Sequence, residues 1–213
     1  MKPARDPNVD YKALVARGYD ACSPDFNAVR VGDASEVLRP LIDRLAAGAR
    51  VLDLGCGAGV PIARTLAQTF SVTGVDISPV QIALARAQVR EAEFSVADMA
   101  SCDFPAASFD AVVSFYAIFH LPREQHEGVF RNVHRWLAAG GYFLASLASH
   151  AEDGYTEDFF GVEMYWSNFA PVEYGPMLER CGFEIVEWGV LPHGYSDDGL
   201  PAESHPLVLA RKR

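Results

Sequence analysis

The sequence lacks most of the features that would place it quickly. No stretch of about 18 apolar residues occurs along its 213 positions, so no membrane-spanning helix is expected. The opening MKPARDPNVDYKA has no apolar core of a secretory leader either, and a cytoplasmic protein is expected. The four cysteines (Cys22, Cys56, Cys102 and Cys181) are scattered, with no CxxC pair and no His-x-x-His partner. That excludes a zinc knuckle and a disulfide framework and fits a reducing compartment. Basic residues are scarce: 18 Lys and Arg against 28 Asp and Glu leave a net charge of −10. Phosphate backbones need a basic face to neutralise them, so nucleic acid is an unfavourable partner. The basic run at 211–213 is terminal and too short to change this. No Asp/Asp/Asn metal set, internal repeat or low-complexity tract is evident.

What is present is globular in kind, with 50% hydrophobic and 22% charged residues, and the length suits one α/β domain over 1–213. Its organising stretch is Arg50–Leu66, RVLDLGCGAGVPIARTL. A short apolar run ends in Gly55-Cys56-Gly57-Ala58-Gly59, after which apolar residues recur at helical spacing, which predicts strand, tight turn and helix. Such a turn forms a cradle for a polar, usually anionic ligand at the carboxyl edge of a strand. A dinucleotide fingerprint wants a third glycine at the sixth position, where this chain has Val60. Ser71–Val75 predicts the second strand, and Asp76 closes it about 20 residues after the glycines, where a carboxylate accepts from ribose hydroxyls. Ser78 and Pro79 are the cap and first residue of a helix over 79–91. Further strands are predicted over 93–97, 109–116, 142–147, 183–190 and 206–210, and further helices over 9–21, 34–47, 123–138 and 172–180. The segment CSPDFNAVRVGD reads as turns, 148–171 breaks the rhythm with six aromatics, and 193–205 reads as an exposed loop.

Asp53 followed by the three alternating glycines resembles motif I of the class I S-adenosylmethionine (SAM) dependent methyltransferases. FDAVVSFYAIFHLP (109–122) resembles motif IV of the UbiE-like small-molecule branch, and FRNVHRWLAAGGYFLAS (130–146) is similar to its helix–Gly–strand joint. The resemblance covers about 34–190. It implies a doubly wound, mainly parallel seven-stranded sheet with an antiparallel last strand and helices on both faces. It also implies SAM as cofactor and S-adenosylhomocysteine as product. On its terms Asp53, Gly55, Cys56, Gly57 and Gly59 form the cofactor loop, Asp76 and Ile77 follow at the ribose, Asp98 takes the adenine amino group and Met99 packs on the ring. Phe115 borders the methionine part, and Tyr19, in a Tyr-Asp element, touches its tail. Residues 1–33 cover the cofactor, and 148–171 is an acceptor lid. Tyr11, Phe119, His120, Tyr155, Phe160, Tyr165 and Trp166 then wall the acceptor, with His120 either a general base or a structural histidine. The expected reaction is metal-independent methyl transfer to an O, N, S or C nucleophile of a small molecule. The lid segment has no Arg or Lys, which points to a neutral or cationic acceptor such as an amine or phenol. Two alternatives stand beside this: a non-catalytic SAM-binding or regulatory protein of the same fold, and an NAD-dependent oxidoreductase. The acceptor and the oligomeric state are not readable from the sequence.

Overall fold

Apolar runs without alternation, such as Val51-Leu52 and Ala111-Val112-Val113, must be covered on both faces. In the computed structural model, which describes residues 9–30, 32–191 and 204–213, they are the centre of a seven-stranded sheet. Five strands run parallel: β1 (Arg50–Leu54), β2 (Ser71–Asp76), β3 (Glu93–Val96), β4 (Phe109–Ser114) and β5 (Leu137–Ser146). A separate hairpin of β6 (Glu152–Phe159) and β7 (Val162–Asn168) follows. The sheet is completed by β8 (Phe183–Leu191) and β9 (His205–Lys212), in the order β3-β2-β1-β4-β5-β9-β8. Only β9 is antiparallel, slotted between β5 and β8, so the expected antiparallel last strand is there.

One face packs under α2 (Ser35–Ile42), α3 (Ile62–Leu66) and α4 (Pro79–Gln88), burying Leu38, Leu41, Leu66 and Ile82 against Val51, Val72 and Val113. The other packs under α5 (His126–Trp136) and α6 (Pro171–Arg180), where Phe130, Val133, Trp136, Tyr174 and Leu178 meet Leu52, Leu54, Val112 and Phe143. β2 and β3 lie on one side of β1 and β4 and β5 on the other, so the chain order reverses between β1 and β4. Their carboxyl ends therefore splay around a crevice, the usual ligand site of such sheets. Asp110, at the opposite end of β4, pairs with Arg50 at the start of β1, far from that crevice.

Several local expectations shift. The first helix, α1, runs Tyr11–Val29 rather than stopping near 21, straight through the segment that reads as turns and with Pro24 inside it. Cys22, Ser23 and Phe26 are buried, and Asn27 donates to Gln81 of α4, so tertiary packing overrides the local turn chemistry. The irregular stretch 148–171 is mostly the β6–β7 hairpin. β5 begins at Leu137 rather than 142, with an irregularity between its pairing at Phe109 and at Ala111 that Gly140 and Gly141 accommodate. Among the described residues no helix is long and apolar enough to cross a membrane. The lead-in at 1–8 and most of the loop expected at 193–205 lie outside the described residues.

Candidate functional site

The crevice is a cleft of about 850 Å³, part of it open to solvent, bounded by the ends of β1, β2 and β4 and roofed by α1. The glycine loop makes its floor. The backbone of Gly55 has φ 75°, and a Cβ there would meet the Cβ of Ala117 at 2.2 Å, so only glycine lets β1 pass the loop after β4 this closely. Much of the loop's own hydrogen bonding is internal. The N–H groups of Gly55 and Cys56 both donate to the Val75 carbonyl, Gly57 N–H donates to an Asp76 oxygen, and Gly59 N–H donates to the Cys56 carbonyl. These four donors are satisfied inside the fold.

Asp76 also accepts from Ser78 N–H, so its carboxylate is fixed at the rim by two backbone donors. Burial raises its pKa above the usual carboxylate range, against those bonds and the charge of Arg30. Asp53 lies deeper, 1% exposed, and its Oδ2 has no hydrogen-bond partner. Burial pushes this carboxyl up to about 7, with Arg30 opposing the rise and Asp76 adding to it. Arg30, at the end of α1, lines the same cleft, with its guanidinium 5.3 Å from the Phe26 ring centre and 5.5 Å from that of Tyr116. Tyr116 itself has φ 55° and is held by its N–H bond to Ser146 Oγ. Cys56 is buried beside both aspartates, which drives its thiol well above the ordinary range and leaves it no nucleophilic role.

The roof is tied down along its length. Lys12 Nζ bonds Asp98 at 2.7 Å, Ser78 Oγ donates to Asp20 at 2.5 Å, and Asn27 donates to Gln81. Although burial works against it, the Lys12, Ala100 and Ser101 donors hold Asp98 below the usual carboxylate range. Asp20 occupies the N-terminal end of α4, which repels a phosphate at that position.

At the β4 end stands His120, 7% exposed, with both ring nitrogens engaged. Nδ1 is 2.7 Å from the Tyr165 carbonyl oxygen and Nε2 is 2.8 Å from the Tyr19 hydroxyl. Burial lowers its pKa to about 4, the Tyr165 bond partly opposing, so the ring is neutral near pH 7.

Of the residues singled out from sequence, Asp53, Gly55, Cys56, Gly57, Asp76, Ile77, Asp98, Met99, Phe115, Tyr19 and His120 line this one cleft. Gly59 does not; it faces Phe94, Val89 and Ala85, making room for α4 against β3. Phe119 stacks on His205 instead of lining the cleft. Tyr11, Tyr155, Phe160, Tyr165 and Trp166 also lie off the lining, in the packing between α1 and the hairpin. There Tyr11 stacks on Tyr165 at 4.1 Å, Tyr155 on Trp166, and Phe160 meets Phe26 edge-on. Sequence reasoning missed Lys12, Arg30 and Gln81, which line the cleft from α1 and α4. A helical repeat continued through 22–29 would have brought Arg30 to the cleft.

Comparison with known proteins adds the following. Residues 51–141 match the family described as methyltransferase domain. Over 84% of its length the chain is 33% identical to phosphoethanolamine N-methyltransferase 1 of Triticum aestivum, covering 37% of that protein. Over 83% it is 32% identical to the ubiquinone biosynthesis O-methyltransferase of Xanthomonas axonopodis pv. citri, covering 80% of that one. The chain spans 29–56% of the length of the first curated relatives it matches. Among solved structures, magnesium protoporphyrin IX methyltransferase of Synechocystis PCC 6803 with bound SAM superposes with a TM-score of 0.74, at 18% identity over 98% of this chain and 100% of that one.

Proposed function

The chain belongs to the class I SAM-dependent methyltransferases, and from that premise we propose that it transfers a methyl group from SAM to a small-molecule nucleophile bound at the β4 end of the cleft. The observation that carries this reading is that Asp53 and Arg30 line the same cleft, close enough for the Arg30 charge to act on the Asp53 carboxyl. The orphaned Asp53 Oδ2 suits an α-ammonium, Arg30 suits the carboxylate beside it, and together they fit the amino-acid tail of SAM. Asp76 at the rim would take ribose hydroxyls, and Asp98 with Met99 would border the adenine. When bound, SAM supplies a methyl group made electrophilic by its sulfonium. The protein's own task is to hold the nucleophile in line and to receive its proton.

Tyr19 and His120 are suited to the proton. A carbonyl only accepts, so the Tyr165 contact puts hydrogen on Nδ1 of His120. Nε2 then carries the lone pair and accepts from the Tyr19 hydroxyl. Tyr19 lines the cleft, so an acceptor O–H or N–H placed against its oxygen passes a proton to Tyr19 as Tyr19 passes its own to Nε2. Phe26 and Tyr116 give the acceptor end an apolar wall. The net charge of −10 and four unpaired cysteines fit a cytoplasmic protein acting on a small molecule rather than on nucleic acid.

The test is calorimetric titration with SAM, S-adenosylhomocysteine and NAD, followed by transfer of labelled methyl to panels of phenols, amines, thiols and enolisable ketones. The expected result is binding of both adenosyl ligands, weakened in Asp76→Ala, and turnover with at least one panel. Binding of NAD alone, or adenosyl binding with no acceptor in any panel, refutes the reading, the second outcome favouring a non-catalytic role.

A further inference from the structure

The hairpin sends no side chain into the cleft, yet one of its backbone atoms reaches His120, the one histidine among the described residues that line it. The Tyr165 carbonyl, in the middle of β7, sits 2.7 Å from Nδ1 of His120, on the side of the ring away from Tyr19. Its placement is over-determined by packing. The Tyr165 ring is fully buried and stacks on Tyr11 at 4.1 Å and 25°. Met164, next to it, lies over Gly18, where even a Cβ would meet its Cε at 2.9 Å. Trp166, on its other side, lies 5.4 Å from the imidazole and stacks on Tyr155 across the hairpin. Tyr11 and Gly18 belong to the same helix as Tyr19, so α1 carries both the seat of the hairpin and the hydroxyl that faces His120.

A neutral imidazole has one N–H to place. In water this side chain favours hydrogen on Nε2, the form that would point a donor at Tyr19 and leave it no lone pair to accept its proton. The docked hairpin reverses that choice. We propose that the β6–β7 hairpin is a positioning element: through the Tyr165 carbonyl it holds His120 as the Nδ1–H tautomer and so aims the Nε2 lone pair at the Tyr19 hydroxyl. Tyr165 acts through His120 and touches no reacting atom. Its part is that of the third group that orients a base in other proton-transfer sites, supplied here by a backbone oxygen on the hairpin. The proton route it serves rests on the reading above, but the tautomer itself is observable without turnover.

The experiment is long-range ¹H–¹⁵N correlation NMR of histidine-labelled protein saturated with S-adenosylhomocysteine at pH 7.5, with His120 assigned by its loss in His120→Gln. The expected wild-type spectrum is one tautomer, with a protonated Nδ1 and a bare Nε2. Gly18→Val and Tyr11→Ala, each undermining the hairpin seat from α1, should shift the ring toward the Nε2–H form and lower kcat at least tenfold. KM for SAM should change less than threefold, and circular dichroism should remain that of a folded chain. Amide exchange across 162–168 reports whether the hairpin has in fact loosened. An Nε2–H or averaged ring in the wild type overturns the proposal, as does retention of the Nδ1–H form in a variant whose hairpin amides exchange freely. If the tautomer behaves as expected while no acceptor is methylated, the positioning role stands and the methyl-transfer reading falls.

Discussion

The most direct consequence of a buried, unpartnered Asp53 is a pH-dependent affinity for any ligand that brings it an ammonium. Burial has pushed this carboxyl up to about 7, and binding an ammonium requires it ionised. Complex formation below pH 7 therefore releases a proton, and affinity falls as pH falls. With a free-protein value of about 7 the group is roughly 90% ionised at pH 8 and 10% at pH 6, so affinity for S-adenosylhomocysteine should drop about tenfold between them, about 1.4 kcal/mol. The assay is isothermal titration at pH 6, 6.5, 7, 7.5 and 8 in buffers of different ionisation enthalpy, which count the released proton independently. Asp53→Asn should bind about 30- to 150-fold more weakly at pH 8, the loss of a hydrogen bond to a charged group, and show no slope. Arg30→Ala removes the charge that opposes the rise and should move the midpoint above that of the wild type. 5′-Methylthioadenosine, which has the nucleoside but no ammonium, should bind with a flat profile. A flat wild-type profile, or an equal slope for methylthioadenosine or Asp53→Asn, would refute the assignment of Asp53 to the ammonium.

Other outcomes follow from single contacts. Asp76→Ala removes the acceptor for both Gly57 and Ser78 N–H groups as well as the ribose contact, and should weaken S-adenosylhomocysteine by about 2–3 kcal/mol in the same titration. Gly55→Ala forces a methyl group to within 2.2 Å of Ala117 Cβ at a backbone φ of 75°; urea unfolding should show a loss of about 2 kcal/mol or more. Tyr19→Phe and His120→Ala should each lower kcat by about 10²-fold or more with S-adenosylhomocysteine affinity nearly unchanged, read by single-turnover methyl transfer. His126 is fully buried, with Nε2–H donating to the Leu121 carbonyl and Nδ1 accepting from the Tyr174 hydroxyl, and burial lowers it to about 4. Unfolded chains protonate this ring near 6.5 while the folded one refuses until about 4, so its contribution to stability is lost as pH falls through that window. Urea midpoints for wild type and His126→Gln should diverge in slope there, the wild type losing about 3 kcal/mol more between pH 6.5 and 4.

How far the sequence foretold this structure depends on the range of the interactions involved. The sheet was legible because its strands are short apolar runs punctuated by glycines and caps, all local signals, and the crevice follows from their order. The cover was not. Asp98 is engaged by Lys12, 86 positions away, and no local pattern reports such a pair. The hairpin hid its turn: Phe160 and Gly161 both have positive φ, 52° and 78°, a turn that usually announces itself as Asn-Gly and here carries a phenylalanine. That ring packs 4.8 Å from Phe159 and 5.9 Å from Phe26, contacts that offset the strain and that exist only once α1 is in place. Among the aromatics of 148–171, Tyr165, Phe159 and Phe160 pack against Tyr11, Tyr19 and Phe26 of α1.

The glycine loop shows the limit of motif reasoning most clearly. Its spacing pointed to the right family, but four of the N–H groups read as donors to a ligand donate within the fold instead. With Gly55, Cys56 and Gly57 donating to Val75 and Asp76, the loop ties the end of β1 to the end of β2. Two consequences follow from that tie. It holds the Asp76 carboxylate at the rim, where ribose hydroxyls would meet it. It also clears the Cβ position of Gly55, so that Ala117 and the chain leading to His120 close over the floor. A neutral ribose and a zwitterionic tail need carboxylates and a guanidinium placed around a gap, whereas a pyrophosphate needs free N–H groups. The proposed placing of Asp53, Asp76 and Arg30 around the cleft suits the first of these chemistries, and the loop bonds that help to set it join residues about 20 positions apart.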